Sequence, residues 1–286
     1  MNIILQHFDG NLRPLDEKSI ENIKAYADMV GAEYRLIRGK PFRKHLTSPC
    51  QKVYMLDKEF DEYAKWFNDN YPDVSYYNIV NFWKIKLLHN LSETYDEVLY
   101  LDIDVIPVTD LNFFEEIDLS KGVALMTGTA TGQQPINKLQ THNYTHHVRS
   151  PMAKMWNSRC MLGESGMWVD EPDVFNTAIV GARKEHLDKL GYFDNFEETL
   201  GLMSNMISDP DFYPESISYM FGYDNETIWG YKTYMNEVEY QVLGEQWHFF
   251  MDKWSYITKN AKFIHCVSKD FDYVRQWCEK NNIQLI

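Results

Sequence analysis

The chain predicts an α/β fold, with strands and helices alternating around a central sheet, and three observations carry that prediction. Short apolar runs bounded by turn residues recur at strand length, segments with apolar residues at helical spacing stand between them, and the first 37 residues already read strand, helix, strand. A βαβ unit of that length builds parallel strands whose carboxyl ends open on a ligand crevice. With 286 residues, 44% hydrophobic and 15% aromatic, the chain can bury a substantial core and lies outside the disordered and fibrous classes.

The elements follow in order. Residues 2–7 (NIILQH) form the first strand. Ser19 is the expected N-cap of a helix over 20–30, whose apolar face is Ile20, Ile23, Tyr26 or Ala27, and Val30, and which Gly31 stops. A strand at 33–37 closes the unit, and helices are expected over 57–70 and 79–91, the second carrying Lys84, Lys86 and His89. Residues 97–107 (EVLYLDIDVIP) read as one apolar strand interrupted by two carboxylates. A strand at 122–127 precedes a stretch from 128 to 170 rich in Gly, Thr, Asn, Gln, His and Met, expected to be a long irregular loop of the lid or binding kind. Beyond it the pattern predicts a strand at 174–180, helices at 184–190 and 215–231, strands at 238–243 and 263–267, and a helix at 270–280. One domain over 1–286 is expected, with residues 1–107 as the half that ends in the acidic strand and 108–286 as the half that holds the long loop.

Charge narrows the partners. Lys and Arg total 28 against 42 Asp and Glu, a net charge of −14, which repels nucleic acid and anionic membrane surfaces. A small anionic ligand would need local cations, backbone amides or a metal. No run approaches the roughly 20 apolar residues of a membrane span, and the first residues lack a basic leader, so a cytoplasmic protein is expected. Cys50, Cys160, Cys266 and Cys278 are scattered, as suits reduced structural thiols. No glycine-rich phosphate loop occurs.

The acidic interruption is the most informative feature. Asp-x-Asp arises by chance in many chains and often caps turns, but Asp102 and Asp104 emerge directly from a buried strand, Val98 to Leu101. Two residues apart on a regular strand, they would share a face. Carboxylates crowded at an apolar site repel each other, and a divalent cation is the usual remedy. Hard oxygen donors select Mg²⁺ or Mn²⁺, whose remaining positions can take diphosphate oxygens. His265, near the end of a late strand, can complete the set for a borderline ion such as Mn²⁺, and Lys269 stands nearby to meet phosphate charge.

With these residues in hand, the chain resembles the GT-A glycosyltransferases, and in motif order it is most similar to family eight, the glycogenin and lipopolysaccharide galactosyltransferase group. The matching pieces are Phe82-Trp83-Lys84-Ile85, Tyr95 to Val105 around Asp102-Ile103-Asp104, Phe175-Asn176-Thr177-Ala178, Asp224-Asn225-Glu226, and Ile264-His265. The resemblance implies a nucleotide-diphospho-sugar transferase fold with a Rossmann-like mixed sheet flanked by helices. It implies Mn²⁺ (or Mg²⁺) held by Asp102, Asp104 and His265 against the donor diphosphate, with Ile103 between the acids at the nucleotide. It sets Lys84 near the donor sugar or phosphates, His7, Phe8 and Asp9 at the base or ribose, Asn176 in the donor-sugar pocket, and Asp224 and Glu226 at the reacting centre. The family's His-Phe-x-Gly-x-x-Lys ending is here His265-Cys266-Val267-Ser268-Lys269, and its Asp-Gln-Asp is Asp224-Asn225-Glu226.

The expected activity is metal-dependent transfer of a sugar from a nucleotide sugar, a UDP-sugar by preference, to a glycan or glycoprotein acceptor, in a bacterial cell or in a host cell if the chain is viral. An inverting reaction needs a carboxylate base, Asp224 first and Glu226 second, whereas a retaining one needs only an orienting group there. Trp156, Trp168, Tyr144, His142, His146 and His147 make the long loop a candidate acceptor platform. Two rivals stay open: a sugar-phosphate nucleotidyltransferase, which usually wants a basic glycine-rich loop where QHFDGNLRP offers only Arg13, and a sugar-binding protein without catalysis.

Overall fold

A computed structural model describes residues 1–8, 14–38, 54–56, 58–128, 146–209, 222–251 and 256–283. Its elements are β1 (Asn2–Phe8), α1 (Pro14–Met29), β2 (Glu33–Arg38), β3 (Tyr54–Leu56), α2 (Lys58–Asn70), α3 (Tyr76–Ser92), β4 (Glu97–Leu101), β5 (Val105–Pro107), α4 (Phe113–Glu116) and β6 (Val123–Thr127). There follow α5 (His146–Glu164), β7 (Phe175–Ala182), α6 (Lys184–Leu190), α7 (Phe196–Ser208), α8 (Asn225–Met235), β8 (Tyr240–Val242), β9 (Phe249–Met251), β10 (Phe263–Cys266) and α9 (Phe271–Lys280).

The main sheet runs β3-β2-β1-β4-β7-β6-β8, and a second runs β5-β10-β9. Strands β3, β2, β1 and β4 are parallel, whereas β7 lies antiparallel to both β4 and β6. The sheet is therefore mixed. β4 at its centre is buried on both faces, which explains its unbroken apolar sequence. Alternation sorts the side chains: Ile3, Leu5, Val98 and Tyr100 join one core with Phe60, Phe67, Phe82, Trp83 and Trp229. Ile4, Leu99 and Leu101 join another with Ile23, Tyr26, Phe113, Trp247 and Phe263. Each fully buried side chain of this size contributes roughly 1.5–3 kcal/mol.

Several expectations need correction. The strand predicted over 97–107 breaks after Leu101: Val105 N–H donates to Asp102 O at 3.0 Å, a turn carries 102–104, and the chain passes from the first sheet into the second. The regular pleat that would set Asp102 and Asp104 on one face is absent there. The loop expected over 128–170 contains the 19-residue α5. Met152, Met155 and Leu162 are its buried ridge, at spacings of three and seven that polar neighbours mask in the sequence. Gly230 lets α8 approach it, with Ser158 Oγ 3.5 Å from Thr227 O. Ser19 is no N-cap: it lies inside α1, where its hydroxyl donates to Val105 O at 3.2 Å. The helix expected over 215–231 begins at Asn225 with Asp224 as its cap, and residues 215–221 lie outside the described part. β3, α4, α7 and β9 have no counterpart among the predicted elements.

Cys266 and Cys278 are buried and free, and Cys160 is free and half-buried; Cys50 lies outside the described residues. Among the described residues no helix is long and apolar enough to cross a membrane.

Gly122 marks the tightest backbone approach, at the start of β6. Its φ of 135° is a glycine conformation, and an added Cβ would lie 2.5 Å from the carbonyl of Glu239. Gly122→Ala should therefore lower stability by about 2 kcal/mol or more, read as a drop in Tm or denaturant midpoint.

Candidate active site

Two groups of charged side chains meet beyond the carboxyl end of β4. The first is built by the handover between the sheets. Asp102 follows β4 and is tied to β7 by its N–H, which donates to Ala178 O at 2.8 Å. Asp104 precedes β5, and its carbonyl accepts from Cys266 N at 2.8 Å, which locks it beside β10 and His265. One ligand atom from each of Asp102, Asp104 and His265 falls within 4.8 Å of the other two. The predicted trio is thus brought together, by a turn rather than by a pleat.

Cations surround it. Lys84, buried on α3, reaches Asp102 with Nζ 3.3 Å from Oδ1 and 3.5 Å from Oδ2. The Tyr100 hydroxyl donates to Asp102 Oδ1 at 2.6 Å, and Lys84 lies 5.2 Å from the centre of the Tyr100 ring. Asp102 keeps 29% of its side chain exposed, so one face stays open, whereas Asp104 is nearly enclosed. Lys269 pairs with Asp104 Oδ2, and His265 Nε2 lies 3.6 Å from Oδ1. Burial raises the Asp104 pKa, but His265 and Lys269 outweigh it and hold the carboxyl well below its usual range. Lys269 reaches this position through a backbone φ of 58°, the left-handed region that costs a lysine about 1 kcal/mol or more. Behind His265, His248 places Nε2 3.0 Å from His265 Nδ1, and burial followed by the charge of His265 keeps His248 neutral.

His7, next to last in β1, is buried against Phe60 with ring centres 5.7 Å apart. Neither ring nitrogen has a hydrogen-bond partner among the described residues. Burial, then Lys84, lower its pKa from 6.5 to about 3. Phe8 is the last residue of β1 and Asp9 lies outside the described residues.

The second group lies at the start of α8. Asp224 caps the helix, its Oδ2 accepting from Thr227 N at 2.8 Å and from Thr227 Oγ1 at 2.7 Å. Glu226 Oε1 accepts from Thr177 N at 3.0 Å, and its Oε2 pairs with Lys154 of α5. Lys154 Nζ also lies 3.7 Å from Asp224 Oδ1. Burial raises the Glu226 pKa, but Lys154, the Thr177 amide and Lys84 outweigh it and hold it below the usual range. Asn225 is buried and donates to Thr177 Oγ1 at 2.8 Å, which ties α8 to β7. Asn176, half-buried on β7, turns Oδ1 toward Ala178 N at 3.0 Å. A register shift between Leu125 and Met126 distorts the β6–β7 pairing beside it. Tyr77, exposed on the first turn of α3, stands between the groups and feels the charges of Lys84, Asp102 and Glu226.

Sequence reasoning did not name Tyr100, Lys154, Tyr77 or His248. Tyr100 was findable, because it stands two residues before Asp102 on an alternating strand. Lys154 and His248 depend on long-range contacts that no local pattern announces. Trp156 is half-buried against the core with Arg159 over its ring at 5.7 Å, so its part in an open acceptor platform is not borne out, whereas Trp168 is 81% exposed. His142, Tyr144 and the side chains of His146 and His147 lie outside the described part.

A model of glycosyl transferase family 8 matches residues 40–191, more than half of the chain, including the acidic turn and Asn176. The chain belongs to glycosyl transferase family 8. It is accordingly a glycosyltransferase, of a family whose enzymes generally depend on a divalent metal and a nucleotide sugar. Mouse xyloside xylosyltransferase 1 shares its fold at 10% identity and a TM-score of 0.55, over 93% of this chain and 98% of that one. The WbbM bifunctional glycosyltransferase aligns at 12% identity and a TM-score of 0.51, over 92% of this chain and 45% of its own. A glycosyltransferase involved in glycosylation of the major capsid of PBCV-1 aligns at 12% identity over 98% of both chains, with a TM-score of 0.45. No curated protein sequence matches the chain. The fold of this family 8 chain is the GT-A fold expected from its sequence.

Two outcomes follow from the electrostatics of the family 8 site. His7 is neutral when folded, so the unfolded chain binds the extra proton below pH 6.5, and stability present above that pH is lost as pH falls toward 3. Between pH 7 and 5 this residue alone should remove roughly 2 kcal/mol, and His7→Gln should flatten that part of the denaturation profile. Lys154→Met leaves Asp224 and Glu226 uncompensated and should cost about 3 kcal/mol or more in chemical denaturation.

Proposed function

We propose that the chain transfers a glycosyl unit from a nucleotide-diphosphate sugar, UDP-sugar favoured, to a hydroxyl of a glycan or glycoprotein, with Mn²⁺ or Mg²⁺ held by Asp102, Asp104 and His265. The observation that carries this reading is the convergence of two carboxylates and one imidazole within 4.8 Å. The donor set suits the ion: two hard oxygen ligands with one borderline nitrogen, and an open face on Asp102. When bound, the cation supplies Lewis-acid stabilisation of the leaving diphosphate.

The protein's own groups do the remaining work. Lys84 and Lys269, now spent on the two aspartates, stand where diphosphate charge would arrive and can meet it. His7 offers two unpartnered ring nitrogens at the carboxyl end of β1, with Phe8 and Asp9 next in the chain, where the base or ribose would lie. Ile103 lies between the acids against the nucleotide, and Asn176 borders the donor sugar. In the reaction the bond from the anomeric carbon to the diphosphate oxygen breaks, a bond to the acceptor oxygen forms, and the acceptor's proton passes to the departing diphosphate oxygen.

Asp224 and Glu226 are poorly suited to take that proton. Both are engaged by Lys154, Asp224 has its Oδ2 spent on the helix cap, and the depressed pKa of Glu226 makes that carboxylate a weak base. Their arrangement favours orienting the sugar and acceptor, which matches transfer with retention of configuration. The nucleotidyltransferase alternative has no specific observation in its favour.

Calorimetry with UDP tests the reading directly: binding should be far tighter with Mn²⁺ than with EDTA, and equal binding in both would end it. Asp104→Ala should abolish transfer and metal-assisted UDP binding while the folded far-UV dichroism persists, and His265→Ala should weaken both. Full activity in Asp104→Ala would remove that residue's role.

A further inference from the structure

His248 stands behind the proposed ligands rather than among them. It immediately precedes β9, its side chain is fully buried, and its N–H donates to Gly244 O at 3.2 Å. Its neighbour Trp247 is wedged against Phe113 and Phe263, with ring centres 5.3 and 5.1 Å apart. β9 pairs in parallel with β10 and sets Phe250 opposite His265, and the two rings meet nearly perpendicular at 5.3 Å. Backbone register and aromatic packing thus hold His248 at one position relative to His265.

The contact between the two imidazoles has a direction that matters. Nε2 of His248 lies 3.0 Å from Nδ1 of His265, while Nε2 of His265 faces Asp104. A neutral imidazole carries one proton on two nitrogens, and only the bare nitrogen can donate a lone pair to a cation. For His265 to use Nε2, its proton must sit on Nδ1, and the group placed to accept from that N–H is Nε2 of His248. The other nitrogen of His248 has no hydrogen-bond partner among the described residues, so none of them demands the opposite tautomer from it.

We propose that His248 is a positioning residue for the metal centre, accepting a hydrogen bond from His265 Nδ1–H and so turning Nε2 of His265 toward Asp104 as a bare ligand nitrogen. The inference rests on reading Asp102, Asp104 and His265 as the metal site. Hydrogen bonds of this kind behind a ligating histidine fix its tautomer and ring orientation, and their loss typically costs 10- to 100-fold in metal affinity.

The test is Mn²⁺ titration of the whole protein without nucleotide, following the free-ion signal by electron paramagnetic resonance, with thermal melts of each variant. His248→Ala should raise the Kd for Mn²⁺ roughly 10- to 100-fold. His248→Gln, whose amide oxygen reaches the place of Nε2, should recover most of the affinity. An unchanged Kd in His248→Ala overturns the inference while leaving the metal site standing, and so does a His248→Gln variant as weak as the alanine one, which marks simple packing. If wild type and Asp104→Ala alike fail to bind Mn²⁺, the metal reading falls and takes this inference with it. Should His248→Ala fail to fold, ¹⁵N-histidine spectra of wild type loaded with diamagnetic Zn²⁺ decide: a proton on Nδ1 of His265 supports the role, and a bare Nδ1 removes it.

Discussion

Two carboxylates brought out of water side by side must be answered by positive charge, and the rest of this molecule is arranged around that requirement. Asp102 and Asp104 are separated by one residue yet leave in different sheets, so their compensation comes from opposite directions. Lys84 is delivered from α3 on one side, and His265 from β10 with Lys269 from the turn after it on the other. Each delivery has a structural cost. α3 must bury a lysine, and the chain at Lys269 must adopt a left-handed backbone.

The acids of α8 meet the same requirement differently. Lys154 answers both Asp224 and Glu226, while the helix cap and the Thr177 amide take most of the remaining acceptor capacity. One lysine there is shared by two carboxylates, and hydrogen bonds from Thr177 and Thr227 help to fix their orientation. At Asp102 29% of the side chain stays exposed although Lys84 pairs with it. The two acidic groups thus differ in how their acceptor atoms are spent: hydrogen bonds and a shared lysine at α8, a separate cation for each acid at the turn.

Much of this could be read from the chain. β1, β4, β6, β7 and β10 declare themselves by apolar runs, because these strands are buried on both faces and strands so placed carry few polar residues. Asp102, Asp104 and His265 were legible for the converse reason: charged or titratable groups inside such runs need a purpose. The turn at 102–104 was hidden, since nothing local distinguishes a pleat from a strand that changes sheets. α5 was hidden because its buried face mixes Met152, Met155, Met161 and Leu162 with Ala153, Asn157 and Ser158, so no clean apolar stripe stands out in the sequence. Lys154 and His248 were hidden because their meaning lies in partners 72 and 17 residues away. Composition and periodicity report on burial; they do not report on which distant group a buried side chain will meet.

The passage of one chain from the first sheet to the second has a thermodynamic corollary. Asp102 is anchored to the large sheet and Asp104 and His265 to the small one, so an ion shared by all three would straddle the join. Whatever opens or tightens the join must then change the ion's affinity, and by reciprocity the ion must stiffen the join by the same free energy. At a hundredfold excess over its dissociation constant that amounts to about 2.7 kcal/mol, enough for the small sheet to be measurably looser in chelator than in cation.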